Sequence, residues 1–167
     1  MGTAFTTWLD FSLARLQAQA IYESLTAHYP ENKELFLSNY QELDKELSML
    51  DKELLALNKK NINAAVVFSH PVYQYLQQRY SIPGHSVHWE PNMEITAGMW
   101  QDLKKNIHHH EAAWMVWEDK PLASSISFLQ EKRINSVVFN PCGNMPENGD
   151  FLTVMKDNII ELQKVFN

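Results

Sequence analysis

Four short apolar runs in the second part of this chain each end in side chains that can hold a proton or a metal ion. Ala64-Ala65-Val66-Val67-Phe68 runs into Ser69-His70-Pro71, and Ser86-Val87-His88-Trp89 into Glu90-Pro91. Ala113-Trp114-Met115-Val116-Trp117 runs into Glu118-Asp119, and Ser136-Val137-Val138-Phe139 into Asn140-Pro141. An imidazole beside carboxylates is a donor set for a divalent cation, and the same pair can act as a general base. Taken singly, Glu90, Glu118, Asp119 and Asn140 serve equally well as helix or turn caps. His70 is different, because histidine is a poor cap. A proline at the first position of the following helix would place His70 at that helix's N-cap, facing a crevice.

Two further histidine features compete with more ordinary roles. His108-His109-His110 stands at the end of a helical segment, where such side chains satisfy terminal carbonyls and complement the helix dipole, and it is also a weak surface chelate. His85 and His88 are three apart on a strand and so face opposite sides, which keeps them from sharing one ion. The reading that fits a strand best puts His88 in the core. Its alternative is a place at the strand's end beside Glu90.

The elements that position these residues follow from spacing. Trp8 to Tyr29 contains no internal Gly or Pro and reads as a first helix. After Pro30 the residues Phe36, Tyr40, Leu43, Leu47, Leu50, Leu54 and Leu57 recur in alternating steps of four and three, the seam of a coiled coil. That predicts a second helix from Glu31 to Leu57, about 40 Å long. It packs back on the first as an antiparallel hairpin, or pairs with a second copy in a homodimer. The four apolar runs read as strands, alternating with helices at Val72–Tyr80, Ala97–Ile107, Leu122–Lys132 and Phe151–Phe166. The expected fold is therefore α/β: a four-stranded parallel sheet flanked by helices, preceded by two long helices. Residues 1–60 form the hairpin and 61–167 the α/β lobe, together one compact unit. In such a sheet ligands bind at the carboxyl ends of the strands, where His70, Glu90, Glu118 and Asn140 all fall.

Bulk properties narrow the function classes. The 167 residues carry 20 acidic against 14 basic side chains, a net charge of -6 that argues against a nucleic-acid partner. Cys142 is the single cysteine and forms no internal disulfide. No stretch approaches the roughly 18 apolar residues of a membrane span, so no membrane insertion is expected. Met1 to Trp8 has neither a basic nor an apolar signal region, so no signal peptide is expected in this chain.

The order of the segments resembles the metal-specific solute-binding proteins of ABC importers, the ZnuA/TroA family. Val66-Val67-Phe68-Ser69-His70-Pro71 through Arg79-Tyr80 is similar to the family's strand-His-helix motif, in which the histidine is a ligand. Trp8-Leu9-Asp10 resembles its Trp-Leu-Asp, and Tyr29-Pro30-Glu31-Asn32 its Asp-Pro-Glu-Asn. Gly84-His85-Ser86-Val87 occupies its second strand. Trp117-Glu118-Asp119 stands where the family has Phe-x-Glu-Pro, and Phe139-Asn140-Pro141-Cys142-Gly143 where it has Leu-Asp-Pro-Leu-Gly. Asp150-Phe151-Leu152 through Asn158 to Leu162 resembles its last helix. The resemblance implies the C-terminal lobe and connecting helices of a periplasmic or extracytoplasmic zinc carrier, with manganese the less favoured ion and an ABC permease as partner. It implies a metal site at His70, Glu118 and Asn140, with Glu90, His88 and the tract His108, His109, His110 as secondary candidates. It also implies a depleted site. The family's N-terminal lobe with its ligand histidine is not in this sequence, Thr6 stands where a second histidine belongs, and Asn140 replaces an aspartate. Zinc binding by the isolated chain is therefore expected to be weak or absent. A module that only dimerises through the heptad helix is the alternative. An enzyme using His70 with Glu118 is disfavoured, because the sequence has no Gly-rich phosphate loop or nucleophile elbow.

Overall fold

The computed structural model describes residues 5–58, 66–106 and 112–166. A 3-10 turn, Thr7–Leu9, leads into α1 (Phe11–His28), whose start is fixed by Asp10. Its carboxylate accepts N–H bonds from Ser12 at 2.9 Å and Leu13 at 3.3 Å, satisfying two of the donors that an α-helix leaves open at its first turn. Pro30 opens a second 3-10 turn, Pro30–Asn32, and α2 then runs Lys33–Asn58. The two helices fold back on each other: Tyr22 stacks on Tyr40 with ring centres 5.0 Å apart, and Arg15 donates to both oxygens of Asp44 at 2.7 and 3.0 Å.

Beyond the hairpin come β1 (Val66–Phe68), α3 (Gln74–Tyr80), β2 (Gly84–Ser86), α4 (Ala97–Asn106), β3 (Trp114–Trp117), α5 (Ala123–Glu131), β4 (Asn135–Val138) and α6 (Phe151–Phe166). All four strands are parallel, in the order β2-β1-β3-β4, so the expected α/β class is correct. Alternation sorts the strand residues between two apolar layers. Val66, Phe68, Val116 and Val137 join α1, α2, α3 and α6 in one core, while Val67, Met115 and Trp117 face Leu103 of α4 and Leu129 of α5 in the other.

Three expectations need correction. The second strand pairs earlier than expected, at Gly84–Ser86 instead of Ser86–Trp89. A Cβ on Gly84 would lie 2.6 Å from the Phe68 ring and 2.7 Å from the Val66 carbonyl oxygen, so only glycine lets the chain enter the sheet there. His70 is not a helix cap: a turn through Pro71 and Val72, whose carbonyl is engaged by the Thr6 hydroxyl, intervenes, and α3 begins at Gln74 with Tyr73 as its N-cap. His88 is exposed and not in the core; Trp89 is the inward residue, 4% exposed, against Trp117.

The long-helix seam divides in two. Leu47, Leu50, Leu54 and Leu57 are buried in the first core, whereas Phe36 and Tyr40 are half-buried and Leu43 is 37% exposed. The regular seven-residue repeat thus serves two environments, this chain's own core and a projecting hairpin. Among the described residues no helix is long and apolar enough to cross a membrane.

Candidate metal centre

The sheet order decides which strand ends meet. β1 is flanked by β2 on one side and β3 on the other, with Phe68 opposite both Ser86 and Val116. Counting two places on brings His70 beside His88 and Glu118, on rows only about 4.8 Å apart. The backbone past the strands holds this arrangement. The Ser69 N–H donates to the Val116 carbonyl at 2.9 Å, the Val87 N–H to the Phe68 carbonyl at 2.9 Å, and the Trp89 N–H to the Ser69 carbonyl at 2.9 Å. Buried Ser69 does one thing more: its hydroxyl oxygen accepts the Glu118 N–H at 3.2 Å, which fixes the chain as it leaves β3.

His70 therefore sits between two carboxylates. Its Nε2 is 3.3 Å from Glu90 Oε1 and its Nδ1 is 3.3 Å from Glu118 Oε1. One donor atom from each of His70, Glu90 and Glu118 lies within 4.8 Å of the others. Nδ1 is buried and has no hydrogen-bond partner, since the Glu118 oxygen, although near, lies off the bonding direction. A separation of 3.3 Å is long for an N–H···O bond; one ion binds a single ring nitrogen, and either separation taken alone matches the edge of a tetrahedron with bonds of about 2.0–2.1 Å. Burial raises the Glu118 carboxyl above its ordinary range; His70 pulls it back down, and the charges of Glu90 and Asp119 push it further up. Two carboxylates held this close are the condition that a divalent cation relieves.

Asn140 comes from the far side of β3. It follows β4, which borders β3 and not β1, and Trp117 pairs with Val138, so Phe139 holds the row of Glu118 and Asn140 lies one place beyond. Its amide oxygen accepts the Cys142 N–H at 2.8 Å, while its own backbone donates to Asn158 Oδ1 at 2.9 Å and accepts from Asn158 Nδ2 at 2.7 Å. Thr6 is buried and donates its hydroxyl to the Val72 carbonyl, bracing the turn after His70. Sequence reasoning ranked Glu90 second and missed Ser69 altogether. The strand order was the missing information for both: β2 beside β1 for Glu90, and β3 beside β1 for Ser69. His108, His109 and His110 lie outside the described residues.

Residues 6–165 match the family described as ZnuA, zinc-uptake complex component A, periplasmic. This chain belongs to the ZnuA family. Among relatives, it is 24% identical over 166 residues to the zinc-binding lipoprotein AdcA of Streptococcus pneumoniae, an alignment covering 94% of this chain and 33% of AdcA. The Zn(II)-bound ZnuA-like domain of that AdcA has the same fold, with a TM-score of 0.85 at 22% identity over 96% of this chain and 63% of the domain. The metal-dependent lipoprotein YcdH of Bacillus subtilis aligns with a TM-score of 0.87 at 20% identity, covering 98% of this chain and 65% of YcdH. The chain thus spans a third of the length of AdcA and less than two thirds of the solved ZnuA-like domain.

Proposed function

We propose that this chain is a metal-holding lobe of an extracytoplasmic solute-binding component of a zinc importer, and that His70 binds the cargo ion together with Glu90 and Glu118. The observation that carries this reading is the His70 ring, its Nε2 3.3 Å from Glu90 and its buried, unpartnered Nδ1 3.3 Å from Glu118, in a ZnuA-family fold. Two ionised carboxylates and a neutral imidazole carry a charge that balances a divalent cation. Zinc is favoured over manganese, because at any mixed nitrogen and oxygen site zinc binds more strongly. Asn140 holds the loop after β4 in this reading, with its amide oxygen already engaged by Cys142 N–H.

The role in this reading is carriage of the ion, and the partner it implies is the membrane permease of the importer. The family's description supports a periplasmic or other extracytoplasmic location in this reading. A dimerisation module built on the long helix is the weaker reading, since half of the apolar seam is already buried in this chain's own core.

Competition against a chromophoric chelator tests the proposal. The chain should take up one zinc ion, His70→Ala should lose it, and replacing His108, His109 and His110 together should leave it in place. No zinc uptake, or uptake that survives His70→Ala and is lost with the tract, would overturn the reading.

A further inference from the structure

We propose that His88 is the fourth ligand, so that one lobe holds the ion by itself through His70, His88, Glu90 and Glu118. The inference rests on the metal reading of this site and adds a donor outside the clustered trio.

His88 lies on the extended segment after β2, whose backbone is tied to β1 through the Val87 and Trp89 N–H groups. Alternation along that segment sends Val87 and Trp89 into the core between the sheet, α4 and α5. It leaves His88 and Glu90 together on the opposite side, both exposed. An exposed imidazole beside an exposed carboxylate has no packing role that requires it there. Yet the His88 ring stands edge-on to His70, with ring centres 5.7 Å apart and planes at 79°.

That separation is informative. Two imidazoles bound through nitrogen to one tetrahedral zinc, with Zn–N near 2.0–2.1 Å, have ring centres about 5.2 Å apart. The observed spacing differs by about half an ångström, within reach of a side-chain adjustment of an exposed histidine. Four donors, two nitrogens and two carboxylate oxygens, complete the coordination zinc prefers. Thr6 stands where the resemblance calls for another histidine, and His88 would supply that second imidazole from within the lobe.

The test uses three variants of the whole chain. His88→Phe keeps an aromatic edge against His70 but removes the donor, His88→Ala removes both, and His88→Cys restores a donor. Zinc affinity by chelator competition should fall about tenfold or more in the Phe and Ala variants, and recover in Cys. With cobalt(II) as a spectroscopic probe, the intense visible band of a four-coordinate site should weaken in Phe and Ala and persist in the unmodified chain. If His88→Phe leaves affinity and the cobalt band unchanged while His70→Ala abolishes binding, His88 is not a ligand and the metal reading stands alone. If the unmodified chain binds neither ion, both readings fall together.

Discussion

Arg79 on α3 donates to both carboxylate oxygens of Asp51 on α2, at 3.1 and 2.7 Å. The Tyr80 hydroxyl donates to the same Asp51 at 2.9 Å and accepts the Phe11 N–H at 3.1 Å, while Arg79 also lies 3.6 Å from Asp10. One carboxylate thus ties the α1 start, α2 and α3 together, joining the hairpin to the α/β lobe at a buried point. Hydrogen bonding to Asp51 raises the Arg79 guanidinium above its ordinary value, and burial raises the Tyr80 hydroxyl. Asp51→Ala should cost about 2–4 kcal/mol, because it removes the bidentate partner of a half-buried cation and the acceptor of a buried hydroxyl together. Thermal unfolding of the unmodified chain should be a single transition. Two separated transitions would mean that hairpin and lobe fold independently, with Asp51 joining them only at the surface.

The divided seam of α2 gives a second prediction. Leu54 is 1% exposed and Leu43 is 37% exposed, although both lie on the same apolar seam. Leu54→Ala should cost about 2–5 kcal/mol, as a cavity in a packed core does. Leu43→Ala should cost about 0.5 kcal/mol or less, as a surface change does. Equal losses measured by urea unfolding would show that the projecting half is covered in solution.

These cases mark where sequence reading works and where it stops. The parallel α/β lobe was legible because each apolar run and each helix carries its own period, and α6 matches its expected bounds, Phe151–Phe166. The seam was legible as a repeat, but a repeat does not say what covers it. His70 could be singled out because a histidine is out of place as a cap. Glu90 could not be ranked above Asn140, since all four strand ends look alike until the order β2-β1-β3-β4 decides which are neighbours. The burial of Trp89 beside an exposed His88 depended on which face of the β2 segment meets α4 and α5, while the entry of that segment into the sheet is set by the contact of Gly84 with Phe68.

Gly84 therefore couples stability to the site. A methyl group there meets the Val66 carbonyl, a backbone atom that cannot rotate aside, as well as the Phe68 ring. Gly84→Ala should cost about 1–3 kcal/mol, the range for forcing extra volume into a packed position. Because β2 carries the chain to His88 and Glu90, zinc affinity should fall as well. A destabilised Gly84→Ala that binds zinc as tightly as the unmodified chain would show that the segment after β2 is positioned independently of the strand.

Glu118 sets stability against binding. Its folded-state carboxyl titrates above its ordinary value near 4.5, chiefly through burial. The sign follows from linkage: folding favours the protonated form, so the stability this group contributes is present below its unfolded value and lost as pH rises through the folded one. At pH 7, without metal, the ionised Glu118 costs stability. Glu118→Gln should therefore raise the melting temperature of the metal-free chain at pH 7, and the gain should vanish in acid below the ordinary carboxylate range, where the unmodified side chain is already protonated. Zinc reverses the ranking. At a free concentration about 100 times its dissociation constant a ligand stabilises by about 2.7 kcal/mol, which at this chain length is about 5–10 °C. The unmodified chain should show that shift, and Glu118→Gln should show much less of it because a carboxylate ligand has become a neutral amide. Melting curves at pH 7 and in acid, with and without zinc, check all of these outcomes. A Glu118→Gln chain that melts lower than the unmodified one without metal, and gains as much from zinc, would mean that Glu118 is held by the fold for packing and takes no part in binding the ion.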